Sequence, residues 1–507
     1  MNRLHFAVVV YGDGSDSRAD SEVTIRSLID QTYGNWTLLE SWASDGPGSP
    51  TVPREPTVPA DFVAAHVLVV PRGARLHRTA LERIAEVASV EGCRLVTWDA
   101  LTRDDDGQHD VLGFGWSPET LLSFDYTRGC FALCIDDYRA AVAALDECAA
   151  TPWSVLLRLP ADLAPARHLA EPLVTLPPDR PVDEEVATAT VDAALRWRGV
   201  QASSVVTDGI RRLAWEAISW PSVSIVIPTR HNEAMLGPLL DSLEASALLP
   251  GGPRFDVIVV DNGARTPEAE DFYTHEWAFP VSVTWWDEVP FHYGRVNNAA
   301  VALSGSEYVL LLNDDTKVID SGWLAEMLGL AMLPGVGVVG TALLTQDGRL
   351  QHAGVWLGLG GYAGHQFAGM HPRTETIFGS TSWYRNVLAV TAACLCIRKE
   401  LFESLGGFDE DMILAGSDVT LGLDCVARGL RNICSPLPGL HHYESITRSS
   451  APLNDQIVSL LRYQPWHDGG DPYRNDRLSR RESIPVLASA DEPDLVAVSR
   501  ARAGVVL

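Results

Sequence analysis

From residue 222 to about 450 the chain alternates short runs of β-branched and other apolar residues with segments of helical periodicity, and few folds accommodate that alternation. Strands joined by crossover helices pair in parallel, so the pattern predicts an α/β unit built on a mostly parallel sheet. "SVSIVIPTR" (222–230) reads as a strand ending at Pro228, "LGPLLDSLEAS" as an amphipathic helix, and "FDVIVVDNG" (255–263) as a second strand that stops at Asp261, Asn262 and Gly263. "VSVTWWDE" supplies a third strand, "VNNAAVALS" a helix, and "YVLLLNDD" a fourth strand. Polar groups thus collect at the C-terminal ends of strands, where open α/β sheets bind ligands.

The first 200 residues hold a weaker echo of this plan. "LHFAVVVYGDGSD" parallels "VSIVIPTRHNE", and "HVLVVPRGARLHRTALERIAEV" parallels "YVLLLNDDTKVIDSGWLAEML". Laid together, they place Pro71, Arg72 and Gly73 where Asn313, Asp314 and Asp315 stand, so the first half has lost its carboxylates. At 507 residues the chain is long enough for two or three domains. The divisions expected are a degenerate domain over 1–195, a linker over 196–221, the α/β domain over 222–450 and an extension over 451–507 whose fold is not legible.

A formal net charge of −27 argues against wrapping nucleic acid, which requires a basic face. Arg474, Arg477, Arg480 and Arg481 are spaced to share one helical face, readable as a solvated surface or as a contact for an anionic lipid or carrier. No apolar run reaches the roughly 18 residues of a spanning helix, and the apolar run at the start is too short for a secretory signal, so a cytoplasmic location is expected. Cys93, Cys130, Cys134, Cys148, Cys394, Cys396, Cys425 and Cys434 form no C-x-x-C pair and read as reduced core residues.

Asp314 and Asp315 follow four apolar residues, so two carboxylates stand where a buried strand emerges. Hard divalent cations prefer oxygen ligands, and Mg²⁺ is usually held by one or two carboxylates plus nucleotide phosphates. A turn built from Asn and Asp is the structural alternative. Asp261 ends a neighbouring strand, where it could accept hydrogen bonds from a nucleobase or ribose, or close an Asx-type turn. Asp418 opens a helical pattern in "SDVTLGLDCVARG", as a cap or as a general base. His442 could complete an oxygen-rich metal site, although a lone His is more often structural and His441 competes for the assignment. Asp104, Asp105 and Asp106 precede Gly107 and read as a solvated turn.

Taken in order, "SIVIPTRHN", "VIVVDNG", "YGRVNNAA", "LLLNDDT", "LQHAGVWLG", "VTAACLCIRKELFESLGGFDE", "SDVTLGLDCVARG" and "HHYES" resemble a family 2 glycosyltransferase of rhamnosyltransferase-like type. The resemblance implies a Rossmann-like GT-A fold, preceded by a degenerate α/β domain of the same kind. It also implies inverting sugar transfer from a UDP-, dTDP- or GDP-linked donor to a glycan or lipid-linked acceptor, with Mg²⁺ or Mn²⁺, in cell-surface polysaccharide synthesis. By motif, Asp261 would contact base or ribose, Asp314 ribose or phosphate, and Asp315 and His442 the metal. Asp418 would be the base, Thr229 and Glu233 would lie beside the nucleotide, and Arg295 and Asn297 would face the donor. Ser417 before Asp418 departs from the acidic or amide residue of many relatives. A Q-x-x-R-W signature is absent, which favours limited transfer over polymerisation. Gln351, His352, Trp356 and "GLGGYAGH" read as acceptor-side or loop-forming elements. Two rivals stay open: a nucleotidyltransferase, disfavoured because "PTRHNEAM" lacks glycine, and a non-catalytic sugar- or nucleotide-binding scaffold.

Overall fold

The computed structural model describes residues 4–12, 18–39, 42–43, 63–104, 107–145, 151–178, 183–216, 219–443 and 451–505. Two compact units emerge, one of Met1–Val205 with Glu375–Gly379 and Pro472–Arg477, the other of Val206–Thr374, Ser380–Asp471 and Leu478–Leu507.

The first unit is a sheet of strands β1 (Phe6–Gly12), β2 (Trp36–Leu38), β3 (His66–Pro71), β4 (Arg75–Leu76), β5 (Leu95–Asp104), β6 (Phe131–Cys134) and β7 (Ala166–Thr175), in the order β2-β1-β3-β6-β5-β7-β4. Its core gathers Phe6, Val8, Val10, Leu68, Val70 and Ile84.

The second unit contains β8 (Val223–Thr229), β9 (Phe255–Asp261), β10 (Val281–Trp285), β11 (Tyr308–Leu312), β12 (Thr316–Val318), β13 (Val336–Leu344), β14 (Leu350–His352), β15 (Cys394–Arg398) and β16 (Arg431–His442). The order is β10-β9-β8-β11-β15-β13-β16-β12, with β14 paired to β13. Its helices include α1 (Glu233–Ala247), α2 (Tyr293–Leu303), α3 (Ser417–Ala427) and α4 (Leu453–Gly469). Every residue of β8 and β11 is buried, as expected where both sheet faces are covered and strands read as continuous apolar runs.

The four strands anticipated in sequence form the parallel half of the sheet, with β8 pairing in parallel with β9 and β11, and β9 with β10. Beyond β11 the sheet is mixed, because β15 runs antiparallel to both β11 and β13. The degenerate echo is visible in the topology. Omitting β10 and the off-path β14, each strand of the second sheet has a counterpart at the same place in the first, with the same parallel or antiparallel sense.

Other expectations change. The segment read as a linker holds two strands, Ala202–Thr207 and Ile210–Trp215. The Arg-rich stretch is not a helix: Arg474 is buried, and Arg477 donates to Asp99 at 3.1 Å and to Asp110 at 2.6 Å. Those bonds lie within the first unit, where fully buried Asp99 also accepts from Gly113 N–H and the Asn475 amide. Seven cysteines are unpaired and six of them buried, while Cys148 lies outside the described residues. Asp104 ends β5 in an exposed position; Asp105 and Asp106 lie outside the described residues, as do Glu444 and Ser445 of "HHYES".

Candidate active site

From β8 the chain moves to β9 and β10 on one side, then returns to β11 on the other, so the strand order reverses at β8. The crevice at such a reversal is where open α/β sheets hold ligands. Thr229 ends β8 and donates its hydroxyl to Asp314 Oδ2 across the reversal at 2.7 Å. In the β8–β9 register Thr229 pairs with Asp261, which is fully buried. Asp261 Oδ1 accepts from Gly263 N–H at 2.7 Å, and Oδ2 accepts from the Tyr273 hydroxyl at 2.7 Å and faces His231 Nδ1 at 2.8 Å. The other ring nitrogen of His231 reaches Glu233 Oε1 at 2.9 Å. Desolvation opposes a charge on His231, but the bonds to Asp261 and Glu233 outweigh it and raise its pKa. The His231 ring thus bridges the two carboxylates, with Phe272, Tyr273 and Trp285 packed around it.

Asp315 and His442 meet because β12 pairs antiparallel with the end of β16, Thr316 opposite His442. Asp315 is only 7% exposed, and its Oδ1 lies 3.1 Å from His442 Nε2. His442 Nδ1 lies 2.7 Å from Gln351 Oε1, whereas His441 turns to the Thr345 carbonyl at 3.0 Å. The pair therefore consists of Asp315 with His442, and His441 is engaged elsewhere.

These residues fit a divalent cation. Two ligands at about 2.1 Å on adjacent octahedral corners stand roughly 3 Å apart, close to the observed 3.1 Å. Among the described residues no group of three or more His, Cys, Asp and Glu side chains encloses an ion. Completion of the shell by phosphate oxygens and water is the usual arrangement for Mg²⁺.

A cavity of about 620 Å³ opens beside this pair, lined among others by Asp418, His442, His365, Tyr362, Gln456 and Tyr463. Asp418 is the second residue of α3; its carboxylate accepts from Ala392 N–H at 3.1 Å and Val419 N–H at 2.9 Å. Burial raises its pKa despite those bonds. The loop ahead of it is fixed by the C-terminal extension, since buried Asp455 of α4 accepts from Ile413, Leu414 and Ala415 N–H at 2.9, 2.8 and 3.0 Å. Gly416, with φ of 99°, precedes the helix, and a Cβ there would stand 2.7 Å from Ser459 Oγ and 2.8 Å from Tyr463 Oη. His352 is fully buried, which drives its pKa well down, and its Nε2 accepts from Gly354 and Thr391 N–H at 3.3 and 3.4 Å.

Of the positions expected for donor, metal and base, only Asp418 and His442 line the cavity, and Arg295 and Asn297 are engaged elsewhere. Half-exposed Arg295 is engaged by Glu288 and Glu410. Asn297 is fully buried, and its amide donates to the Tyr293 carbonyl within α2 at 2.9 Å. His231, Tyr273 and Asp455 are not singled out in sequence. Only for His231 is there a signal, its place in "PTRHNE" directly after a strand end.

The strand reversal at β8, with its acidic residues, gives the second unit the ligand crevice of an open α/β sheet. Residues 224–406 match the family model described as glycosyl transferase family 2. It is 37% identical over 383 residues to the O-antigen biosynthesis protein RfbC of Myxococcus xanthus, covering 72% of this chain and 30% of that protein. It is 38% identical over 292 residues to the uncharacterized protein y4gI of Sinorhizobium fredii, covering 55% of this chain and 31% of that one. The chain thus spans about a third of the length of these curated relatives. Among solved structures, a mannosyltransferase from Pyrobaculum calidifontis in complex with GDP-Man and Mn²⁺ is similar at 17% identity and a TM-score of 0.36, over 56% of this chain and 70% of that one. Among the described residues no helix is long and apolar enough to cross a membrane.

Proposed function

We propose that the second unit transfers a sugar from a nucleotide-diphosphate donor to a hydroxyl of a glycan or lipid-linked acceptor, with inversion and with a divalent cation. The setting is cell-surface polysaccharide synthesis, in the cytoplasm or at the inner face of the cell membrane. The observation that carries this reading is one cavity lined by both a carboxylate with a raised pKa, Asp418, and His442, the partner of Asp315. The relative named for O-antigen biosynthesis supports the polysaccharide setting.

Asp418 is the base. Burial raises its proton affinity toward what a general base needs, while the Ala392 and Val419 N–H groups aim its carboxylate. The acceptor oxygen forms a bond to the anomeric carbon as its proton passes to Asp418. The bond from that carbon to the diphosphate oxygen breaks, and its electron pair leaves with the nucleotide. A cation held by Asp315 and His442 would supply Lewis-acid stabilisation of charge on the leaving group. Thr229, Asp314, Asp261, Glu233 and His231 form the nucleoside side, in which the Asp261 carboxylate is already aligned by three donors. Arg295 and Asn297 remain candidates for donor contact, Arg295 upon release from Glu288 and Glu410. The first unit is proposed to be non-catalytic.

The test is calorimetric titration of UDP, dTDP and GDP, with and without Mn²⁺, on the wild type and on Asp315→Ala. Mn²⁺-dependent binding of one nucleotide, lost in the variant, is the expected result. No binding under any condition, even with acceptor glycan present, would favour a scaffold.

A further inference from the structure

One residue of β14 reaches two of the histidines around the cavity. Gln351 is 6% exposed; its side-chain Oε1 lies 2.7 Å from His442 Nδ1, and its main-chain oxygen lies 3.0 Å from His365 Nδ1. An amide oxygen can only accept, so each of these contacts places a proton on Nδ1 of the imidazole. In the neutral ring that leaves Nε2 with its lone pair. For His442 the lone pair then faces Asp315 Oδ1 at 3.1 Å. Two electron-rich atoms at that separation repel unless positive charge lies between them.

We propose that Gln351 is a positioning residue: its side chain selects the Nδ1–H tautomer of His442 and thereby presents Nε2, together with Asp315, to a divalent cation. The proposal rests on the reading of this site as cation-dependent and adds to it a residue outside the ligand pair. Metal-bound histidines are generally oriented by an acceptor on the second ring nitrogen, and losing that partner typically costs about 10- to 100-fold in metal affinity. Sequence placed Gln351 only among acceptor-side or loop-forming elements. Its neighbour His352 does different work, accepting N–H bonds from Gly354 and Thr391. Because His365 is held by the main-chain oxygen of residue 351, a change of side chain there leaves that contact in place.

Two substitutions separate positioning from packing. Gln351→Glu keeps an acceptor at the same reach, whereas Gln351→Met keeps length and loses the acceptor. Mn²⁺ affinity is read by electron paramagnetic resonance of free Mn²⁺ with the full chain, in separate titrations with saturating UDP, dTDP and GDP, alongside thermal unfolding. The expected result is at least about a tenfold loss for Q351M and a change within about threefold for Q351E. Equal affinity in Q351M and wild type overturns the proposal. So does a greater loss in Q351E than in Q351M, the order that packing alone produces because Q351E buries a charge. If Q351M does not fold, Q351E decides by the same threefold limit. Mn²⁺ binding abolished by Asp315→Ala but untouched by Q351M removes only the role of Gln351. A wild type that binds no Mn²⁺ with any of the three nucleotides removes the cation reading, and this proposal with it.

Discussion

The two units pair their strands in the same order and sense, yet the residues at corresponding strand ends differ in kind. Where Thr229 pairs with Asp261 at the end of β8, Gly12 pairs with Ala43 at the end of β1. Aligning β3 on β11 puts Arg72 and Gly73 at the places of Asp314 and Asp315. Val174 faces Leu76 as Leu440 faces Val318, so Leu176 falls at the position of His442. In the first unit a Cβ on Gly129 would stand 2.3 Å from Tyr11 Oη, so this position is held to glycine. A sheet of this order therefore needs none of the carboxylates for its own stability. Their proposed role in the second unit is chemical, and each can be tested against its counterpart.

The largest effect is expected at the base. Asp418→Asn should keep nucleotide binding by calorimetry and lose at least about 10²-fold in turnover by a sugar-transfer assay. The raised pKa of Asp418 adds a pH signature. The base acts ionised, so kcat/KM should rise with pH through a limb above the ordinary carboxylate value of about 3.9. A limb at or below that value would point away from Asp418.

Next is the attempt to restore the first unit. Arg72→Asp with Gly73→Asp recreates the carboxylate pair in sequence, but Leu176 offers no imidazole, and Gly73 has a φ of 82° with Pro177 Cβ only 3.1 Å from a built Cβ. Mn²⁺ stoichiometry, measured with saturating nucleotide, should remain one per chain. Two sites would break the comparison.

Asp455 belongs to the tail and has no part in the repeated sheet. Asp455→Ala leaves three N–H groups without their acceptor and should lower stability by about 2 to 4 kcal/mol in denaturant titration, with turnover falling alongside as the loop before Asp418 loosens.

The smallest effect concerns Glu326, which aligns with buried Ile84 of the first unit. Glu326 is 3% exposed, accepts from the hydroxyls of Tyr384 and Ser435, and has its pKa pushed up by burial to about 7 from 4.5. Its folded-state value exceeds its unfolded one, so its contribution is full below about pH 4.5 and is lost as pH rises through about 7. Glu326→Gln should therefore gain about 1 to 3 kcal/mol relative to wild type between pH 5 and pH 8, read from paired denaturant curves. A gap that does not change with pH would place the charge elsewhere.

The parallel half of the second sheet was legible because apolar runs, turn residues and helical periodicity are local signals. Thr229, Asp314, Asp315 and His442 are legible in sequence as motif members, since each stands at or just beyond the end of an apolar strand run. What escaped depends on partners far along the chain. Asp455 acts on residues 413–415 from about 40 positions away, and nothing around "LNDQIV" announces it. The Arg-rich stretch misled for a similar reason: its spacing suggests a helical face, while Asp99 and Asp110, more than 360 residues earlier, draw Arg477 inward. His231 was overlooked because an imidazole after a strand gains meaning only when Asp261 and Glu233 are seen on either side.

The central claim is that one of two like-built sheets holds the nucleotide-sugar site. Its most direct test is the stoichiometry of Mn²⁺-dependent nucleotide binding in wild type and Asp315→Ala. One nucleotide per wild-type chain and none in the variant is the predicted result; two per chain, or binding that survives the loss of Asp315, would contradict it.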